Sequence, residues 1–389
     1  MTNEYDAIIC GGGPAGSSAA LSLARHGRSA LVLDRARFPR TKLCGGLLTW
    51  KSTRLLATHF GLTPDDLIRA GVVNFVSDRF AIHTFSRTLA KGMLPFPFHF
   101  ADRAGLDALL LDRAAEAGAV IEQATRVTGC DPKTGEVRCA DGRRFRGRYV
   151  IGADGANSRV RAAIPTVDRE RMHRYMAPAI EIALPPEDFP RPVDFPELYV
   201  GFLEAGYGWV FPNRDRVVLG ICGLRRNKND FSALFDEFLA FLGVDPGAVT
   251  DRKGHLLPYG NYLSNPAFGR TLLAGDAGGF VEPLFGEGIF YALCTGRYAG
   301  EAVADGVKTG TDPGPAYAAR LGRYVLPELA ASDRLRWLLF KGMGLFGPGG
   351  LAWFVGALEK PLAEMVHGMR SYRWLKKKEW DFKAGPTAP

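Results

Sequence analysis

The sequence has few cysteines, and none of them lies in an arrangement typical of disulfide scaffolds or metal sites. Six cysteines are spread over 389 residues without a CxxC pair or a Cys/His cluster. We therefore expect neither a disulfide framework nor a bound metal. The histidines are equally scattered, so we assign none of them a function.

Long apolar runs and targeting segments are lacking as well. No uninterrupted apolar stretch reaches the length of a bilayer span, so we expect no transmembrane helix. The strand-like segment YDAIIC begins at Tyr5 without a basic region or a long apolar run before it, which argues against a signal peptide. We therefore expect a cytoplasmic protein.

The composition is that of a globular protein with a modest excess of positive charge. With 47% hydrophobic residues, the chain can bury a sizeable core and form two closely joined domains. The formal net charge is +8, and residues 333–389 contain ten Lys or Arg against five Asp or Glu. This excess predicts weak attraction to anionic surfaces or ligands, and we expect no nucleic-acid partner.

The N-terminal segment carries a glycine-rich turn between a strand and a helix. A predicted strand, Tyr5 to Cys10, runs into GGGPAG; helical sequence follows, and then the apolar strand SALVLD. Glycines at GxGxxG spacing permit a tight turn and close approach of the backbone to a pyrophosphate, and the helix N-terminus offers unpaired N–H groups. The final Asp can accept hydrogen bonds from a ribose. The predicted dinucleotide-binding residues here are Gly11, Gly13, Pro14, Ala15, Gly16, Asp34 and Arg35.

Two further segments favour FAD as the dinucleotide. RYVIGADGANSRVR contains a strand that ends at Asp154, which we predict to bind the cofactor. LLAGDAGGFVEPLFGEGIFYAL combines a short strand, a Gly/Pro-rich loop and the start of a helix. FAD is long enough to need two anchoring regions, so the first glycine loop can hold its ADP half while the later loop meets the ribityl chain and the flavin ring. The predicted residues of this second region are Gly275, Asp276, Pro283, Gly286, Gly288 and Ile289.

These motifs together resemble a known enzyme family. In order and spacing they are similar to those of FAD-dependent oxidoreductases of the para-hydroxybenzoate hydroxylase type, and KLCGG, GYGWVFP and EPLFGEGIFYAL resemble the geranylgeranyl reductase family more narrowly. The resemblance implies reduction of isoprenoid carbon–carbon double bonds, as in chlorophyll precursors, archaeal lipids or menaquinone. It also implies that Arg103 contacts FAD near its phosphates.

The resemblance directs attention to a few candidate catalytic and substrate-binding residues. Cys44 and Gly45 lie in KLCGG, the segment that in the family runs beside the flavin ring. A thiol there could touch substrate, tune the flavin or donate a proton. The alternative is that Cys44 is a buried thiol that only packs. Tyr207, Trp209 and Phe211 are candidates for an apolar wall that aligns an isoprenoid chain, with Tyr207 and Trp209 also assigned to catalysis. Plain core packing is the alternative for these aromatics.

Two positions depart from the pattern of the family. Gly206 stands where an aromatic residue is common, and the expected Gly-x-Gly reads Gly220-Ile221-Cys222. Both changes fall in the segment expected to shape the substrate pocket, so the resemblance does not determine which substrate is bound.

We predict an α/β protein, α+β overall, with a Rossmann-type FAD-binding domain, an antiparallel-sheet substrate domain and a helical C-terminal region. The FAD-binding domain is expected over 1–166 and 257–310, with part of 79–93 as an alternative contribution to the substrate domain. The substrate sheet is expected over 167–256, where strand-like runs such as MAPAIEIAL alternate with Pro/Gly punctuation. The helical region is expected over 311–389, and the substrate is expected in the crevice between sheet and FAD domain.

The C-terminal region suggests a membrane surface as a partner. Trp, Phe and Leu lie beside Arg and Lys there, and the segment ends in the cluster Lys376 to Lys378. Such a mixture suits the headgroup boundary of an anionic bilayer, so we expect peripheral attachment to the inner face of the membrane. An ordinary helical layer with a solvated basic end is the alternative.

Other functions of the same fold stay open at this point. A flavin monooxygenase would use the same cofactor. A flavin-dependent halogenase would share a Trp/Pro-bearing strand, although GYGWVFP lacks the paired Trp that is usual in halogenases. A non-enzymatic flavoprotein is the third alternative. The electron donor also stays open, because no second GxGxxG is present to mark a nicotinamide-nucleotide site; NADPH, NADH and reduced ferredoxin are the alternatives.

Overall fold

The computed structural model describes residues 4–203, 205–224, 230–340, 359–373 and 377–382. The strands in chain order are β1 (Glu4–Cys10), β2 (Ala30–Leu33), β3 (Leu47–Leu48), β4 (Val73–His83), β5 (Thr88–Ala101), β6 (Val120–Glu122), β7 (Val127–Asp131), β8 (Glu136–Cys139), β9 (Arg144–Gly152), β10 (Met176–Leu184), β11 (Glu197–Val200), β12 (Gly206–Pro212), β13 (Val217–Gly223), β14 (Lys253–Pro258), β15 (Ala267–Phe268) and β16 (Thr271–Leu273). The helices are α1 (Pro14–Arg25), α2 (Trp50–Leu55), α3 (Pro64–Arg69), α4 (Arg103–Glu116), α5 (Arg159–Ala162), α6 (Arg169–Arg174), α7 (Phe231–Phe241), α8 (Ile289–Thr309), α9 (Pro313–Tyr324), α10 (326–340 within the described residues) and α11 (Glu359–Val366).

The first sheet has the parallel centre expected of a dinucleotide-binding fold. Its main strands follow the order β15-β16-β9-β1-β2-β6, with β8 joined to β9 and β7 joined to β8. The pairs β16-β9, β9-β1, β1-β2 and β2-β6 are all parallel. The carboxyl ends of the central strands therefore meet at one edge, where ligands bind in such sheets.

Two long-separated helices pack closely against each other on this sheet. A Cβ atom added at Gly296 of α8 would lie 2.1 Å from the carbonyl oxygen of Ala15, and one at Gly300 would lie 2.5 Å from that of Ala19. These two glycines, four residues apart on one face of α8, let the backbone of α1 approach. The contact holds the start of α8 beside the start of α1, so both helix N-termini face the same region.

The second sheet has two chemically different faces. Its order is β14-β10-β13-β12-β11-β4-β5-β3, antiparallel except for the pair β11-β4. One face is covered by α7, whose Phe235 and Phe238 pack with Ile182 and Val210. The other face carries Tyr207, Trp209 and Phe211 and looks toward the first sheet.

The predicted fold class is confirmed, but the second sheet extends beyond 167–256. Strands β4 and β5, together spanning Val73–Ala101, pair with each other and join the sheet through β11, whereas the prediction included only part of 79–93 as an alternative contribution. The parallel pairing of Glu197–Tyr199 with Ala81–His83 joins segments that are distant in sequence. A local sequence pattern cannot predict such a pairing. The division into domains remains a proposal.

The described part of the C-terminal region packs against the rest of the chain. The Trp380 indole N–H donates to the carbonyl oxygen of Gly368 at 2.9 Å, and its ring meets that of Phe290 edge-on at 4.6 Å between centroids. Lys378 belongs to the basic cluster of the prediction, but its side chain is buried. Its ammonium group lies 3.4 Å from the carboxylate of Glu328. Lys377 of the same cluster is exposed, and residues 374–376, which include Lys376, lie outside the described residues. Among the described residues, no helix has both the length and the apolarity needed to cross a membrane.

Candidate active site

A cavity of about 1070 Å³ lies between the two sheets. Its wall on one side is formed by the carboxyl ends of β1 and β2 and the segment after β9, and on the other by β10, β12 and β14. Most residues predicted for the site line this cavity: Gly11, Gly13, Pro14, Ala15, Asp34, Arg35, Cys44, Gly45, Arg103, Asp154, Tyr207, Trp209, Phe211, Asp276, Gly286, Gly288 and Ile289. Gly16, Gly275 and Pro283 do not line it.

The turn after β1 forms a cradle that only small residues allow. Gly11 has φ +105°, and a Cβ there would lie 2.4 Å from the carbonyl oxygen of Ala153. At Gly16 a Cβ would meet the carbonyl oxygen of Gly11 at 1.8 Å, so Gly16 serves the turn itself. Gly13 caps α1 without a side-chain hydrogen bond. The first N–H groups of α1 are therefore left for an anionic ligand.

Asp34 holds the cradle from the end of β2. Its carboxylate accepts hydrogen bonds from the backbone N–H groups of Gly12 at 2.7 Å and Ala36 at 2.8 Å. A carboxylate has lone pairs for further donors, so Asp34 can still accept from a ribose hydroxyl while these bonds position it.

The loop before α8 is fixed from behind by a buried carboxylate. Glu282 accepts hydrogen bonds from the backbone N–H groups of Leu284 at 2.9 Å and Phe285 at 2.6 Å, and from the Ser332 hydroxyl. Burial raises the pKa of Glu282 to about 7, against the lowering effect of these backbone bonds. The backbone N–H groups that the loop presents to the cavity are thereby held in place.

A second carboxylate in this loop faces the cavity and has a buried cation as its partner. Glu287 lies 2.5 Å from the ammonium group of Lys51, which is fully buried, and accepts a hydrogen bond from Thr49 at 2.7 Å. The sequence analysis missed this pair, because Lys51 lies in a helical segment that matches no motif and is far from the loop in sequence.

Asp276 and Asp154 have different surroundings although both line the cavity. The carboxylate of Asp154 accepts from Ser158 and from the backbone N–H of Arg159 at 2.7 Å, so it caps its own loop. Asp276 lies in the short 3-10 turn Gly275–Gly278, and its backbone carbonyl accepts a hydrogen bond from Arg161 at 3.2 Å. No such bond to its carboxylate is formed within the described residues, which leaves that group available to a ligand hydroxyl.

The predicted phosphate contact, Arg103, is buried and already ion-paired. Its guanidinium donates two hydrogen bonds of 3.0 Å to Asp107, and Arg40 approaches the same carboxylate at 3.1 Å. Burial lowers the pKa of Arg103, but Asp107 and Cys44 outweigh it and raise the pKa, so the group stays charged. It lines the cavity as a fixed positive charge.

The KLCGG segment lies against the aromatic strand. A Cβ at Gly45 would come within 2.5 Å of the Phe211 ring, so this glycine allows the two segments to touch. Lys42 of the same segment lies 2.6 Å from Nε2 of His255. Burial lowers the pKa of both, that of His255 to about 4, which keeps the imidazole neutral.

The far part of the cavity is apolar. Beyond Trp209 and Phe211 its wall consists of Phe80, Ile82, Leu94, Phe98 and Leu198, together with Leu362 and Val366 of α11. The sequence prediction named no individual residue of β4, β5 or α11 for this wall, since these segments reach the site only through sheet pairing and helix packing.

Glu181 is a further titratable residue of the cavity that the sequence analysis missed. It lies on β10 and lines the cavity, and burial raises its pKa to about 7, although the backbone amide of Cys44 acts in the opposite direction. The available signal was a single acidic residue in the apolar run MAPAIEIAL, on the same strand face as Ala177 and Ala179.

Comparisons with known proteins agree with this geometry. The family model described as FAD binding domain matches residues 4–305. The chain is 32% identical to the geranylgeranyl diphosphate reductase of Rhodobacter capsulatus, over 79% of this chain and 77% of that protein. It is 31% identical to the menaquinone reductase of Mycolicibacterium smegmatis, over 87% and 85%.

A solved structure supports the fold independently. A geranylgeranyl bacteriochlorophyll reductase-like protein from Thermoplasma acidophilum superposes with a TM-score of 0.73 at 20% identity, covering 94% of this chain and 99% of that one. At this identity the likeness shows the fold alone.

Proposed function

Since this chain belongs to the FAD-binding family whose model spans residues 4–305, we propose that it is an FAD-dependent oxidoreductase that reduces carbon–carbon double bonds of an isoprenoid chain. One observation carries the proposal: a single cavity joins a polar, glycine-lined cradle to an apolar, aromatic end. The polar part suits a dinucleotide, and the apolar part suits a long hydrocarbon.

The residues of the cradle fit FAD. The uncapped start of α1 and the strained Gly11 turn suit the pyrophosphate, Asp34 suits a ribose, and the carboxylate of Asp276 suits the ribityl hydroxyls. The loop Pro283–Gly288 and the start of α8 would meet the flavin ring. When bound and reduced, FAD supplies a hydride.

The protein's own task is to align an alkene and to exclude water. Trp209 is 7% exposed and Phe211 packs against Gly45, so the wall of the apolar part is rigid where it meets the KLCGG segment. Cys44 lies at this junction, in contact with the cavity. A long chain held by the apolar wall can place one double bond beside the cradle, and its remote binding energy can serve that alignment.

The proposal is tested by single-turnover reactions of chemically reduced enzyme under argon. Geranylgeranyl diphosphate, a geranylgeranylated lipid and menaquinone are each mixed with it, and flavin reoxidation is followed by absorbance. We expect at least one of them to reoxidise the flavin, and a shorter prenyl analogue to react more slowly. Reoxidation only after admission of oxygen, together with a product that has gained an oxygen atom, would overturn the proposal in favour of a monooxygenase. Titration of oxidised enzyme with NADPH, NADH or reduced ferredoxin identifies the electron donor.

We also propose peripheral attachment to anionic membranes through the C-terminal region. Arg373 and Lys377 are exposed there, and isoprenoid substrates reside in bilayers. The variant Arg373→Glu/Lys377→Glu should bind anionic vesicles less than the wild type, with a difference that shrinks as salt rises. Lys133→Glu/Lys308→Glu, with the same charge change at exposed positions elsewhere, is the matched control. Equal binding of all three proteins would rule out this surface.

A further inference from the structure

A row of cavity-facing residues crosses the second sheet beside the KLCGG segment. In the register of the strands, Glu181 of β10 lies opposite Lys253 on one side and Gly220 on the other, and Gly220 in turn lies opposite Trp209. Directly opposed residues in a sheet share a face. The row therefore brings Glu181 and Trp209 to the same wall of the cavity, separated by a residue without a side chain.

The missing side chain at Gly220 lets the indole ring lie between the two. A Cβ at Gly220 would come within 2.2 Å of Cζ2 of Trp209, so the ring occupies that space and points toward β10. Backbones two strands apart are separated by about 10 Å, a gap that an indole ring and a glutamate side chain together can fill. The indole N–H is buried and has no hydrogen-bond partner among the described residues.

Glu181 has no ion-pair partner among the residues that the structure describes. Three cations act on its carboxyl group, Lys42, Arg103 and Arg216, and Lys253 is its neighbour in register. Each is held by another group within hydrogen-bond or ion-pair distance: His255, Asp107, Asp102 and Asp251, respectively. No cation in the described part of the chain lies within 4 Å of the Glu181 carboxylate. Such a group, open to the cavity and without a counter-ion, is suited to exchange a proton.

We propose that Glu181 is the catalytic acid of the reduction and protonates the alkene carbon that does not receive the hydride. This inference rests on the proposed function. Hydride from reduced FAD adds to one alkene carbon, the π electrons form a new C–H bond with the proton of Glu181 at the other, and the carboxylic acid becomes a carboxylate. The cofactor ends two electrons more oxidised, and water reprotonates Glu181 for the next turnover.

The surroundings of Glu181 agree with this role. Because burial raises its pKa to about 7, a large share of the groups is protonated at neutral pH, whereas an exposed glutamate would be ionised. The face of Trp209 beside it can stabilise positive charge that develops on the substituted alkene carbon during protonation. The sign of the pH effect follows: the acid form is active, so turnover should fall as pH rises through about 7.

The experiment compares Glu181→Gln with the wild type and with Glu187→Gln, a control at an exposed position shortly after the same strand. The reduced proteins are mixed anaerobically with the substrate that reoxidises the wild type, from pH 6 to pH 9, after FAD content and thermal unfolding have been measured. We expect Glu181→Gln to bind FAD and to be reduced normally by the donor, but to reoxidise at least about 100-fold more slowly and without pH dependence. Glu187→Gln should behave as the wild type.

The outcomes separate this inference from the function on which it rests. A wild-type protein that reoxidises rapidly with a rate constant flat from pH 6 to pH 9, or a Glu181→Gln protein that matches it, would overturn the role of Glu181 and leave the reductase function intact. Failure of every isoprenoid to reoxidise the wild type would overturn the function, and this role with it. The wild-type pH profile decides the question even if Glu181→Gln does not fold.

Discussion

The Tyr207 hydroxyl donates a hydrogen bond to the carbonyl oxygen of Phe285, which joins the aromatic strand of the second sheet to the loop ahead of α8. The next residue, Gly286, has φ +70°, and a Cβ there would approach the same hydroxyl at 2.9 Å. The predicted wall of the substrate pocket and the predicted flavin-binding loop are thus in direct contact. Burial raises the pKa of Tyr207, so the hydroxyl keeps the proton that this bond requires.

Tyr207→Phe should loosen this junction. Losing the bond is expected to lower the free energy of unfolding by about 0.5–1.5 kcal/mol and to weaken FAD binding, because the loop loses a tether. Denaturant unfolding and FAD titration measure the two effects. Tyr149→Phe, which removes a longer and more exposed bond to Thr311, should change both quantities less. Equal effects of the two substitutions would argue against a special role for the Tyr207 contact.

Asp276→Ala should reduce retention of FAD. The substitution removes a carboxylate that faces the cavity and leaves the ribityl hydroxyls without an acceptor. We expect affinity to fall at least about tenfold, on the order of 1.4 kcal/mol, as measured by flavin absorbance after desalting and by titration. Asp305→Ala, at an exposed position on α8, is the control. A folded Asp276→Ala protein with stoichiometric FAD would contradict the assignment.

Cys44→Ser tests whether the thiol takes part in the reaction. The sulfur accepts a long bond of 3.5 Å from the backbone N–H of Gly46 and interacts with the Arg103 guanidinium. A serine hydroxyl can accept from both groups, so we expect FAD content and stability to be kept. If the thiol assists turnover, the rate should fall at least about tenfold, or 1.4 kcal/mol of barrier. Unchanged turnover would give Cys44 a packing role.

Gly45→Ala should disturb the pocket through Phe211. A methyl group 2.5 Å from the ring forces it to move, at a cost of about 1–3 kcal/mol, and the displaced ring narrows the cavity. We expect KM for the isoprenoid to rise. Gly322→Ala, in α9 with nothing within 4 Å of the added Cβ, should instead stabilise the helix by about 0.5–1 kcal/mol. A Gly45→Ala enzyme with unchanged KM would show that this contact does not shape the pocket.

Much of the cofactor side of the site could be predicted because its parts are contiguous in sequence. The Gly11 turn and Asp34 follow a strand directly and Asp276 lies three residues after one, so strand and turn patterns were enough to place them at one sheet edge. Gly16 and Gly275 belong to the same motifs but serve packing: a Cβ at Gly275 would lie 2.9 Å from that of Ala15. Motif spacing does not distinguish a glycine that faces a ligand from one that faces a neighbouring turn.

The substrate side could be predicted less well, because distant segments build it. Glu181 acquires its surroundings from β13, β14 and the KLCGG segment, and Lys42 meets His255 across 213 positions of sequence. The apolar end depends on β5 and α11, which a local pattern could not assign to the cavity. Burial and register, which set these environments, exist only in the folded chain.

The central claim, that this chain reduces an isoprenoid alkene, is tested most directly by the mass of the product formed under argon. Reduced enzyme is allowed one turnover with the isoprenoid that reoxidises it, and the extracted product is analysed by mass spectrometry, with an air-exposed reaction run in parallel. The account predicts a product two mass units heavier than the substrate, formed under argon without any need for oxygen. A product that has gained an oxygen atom, and that forms only in air, would contradict it.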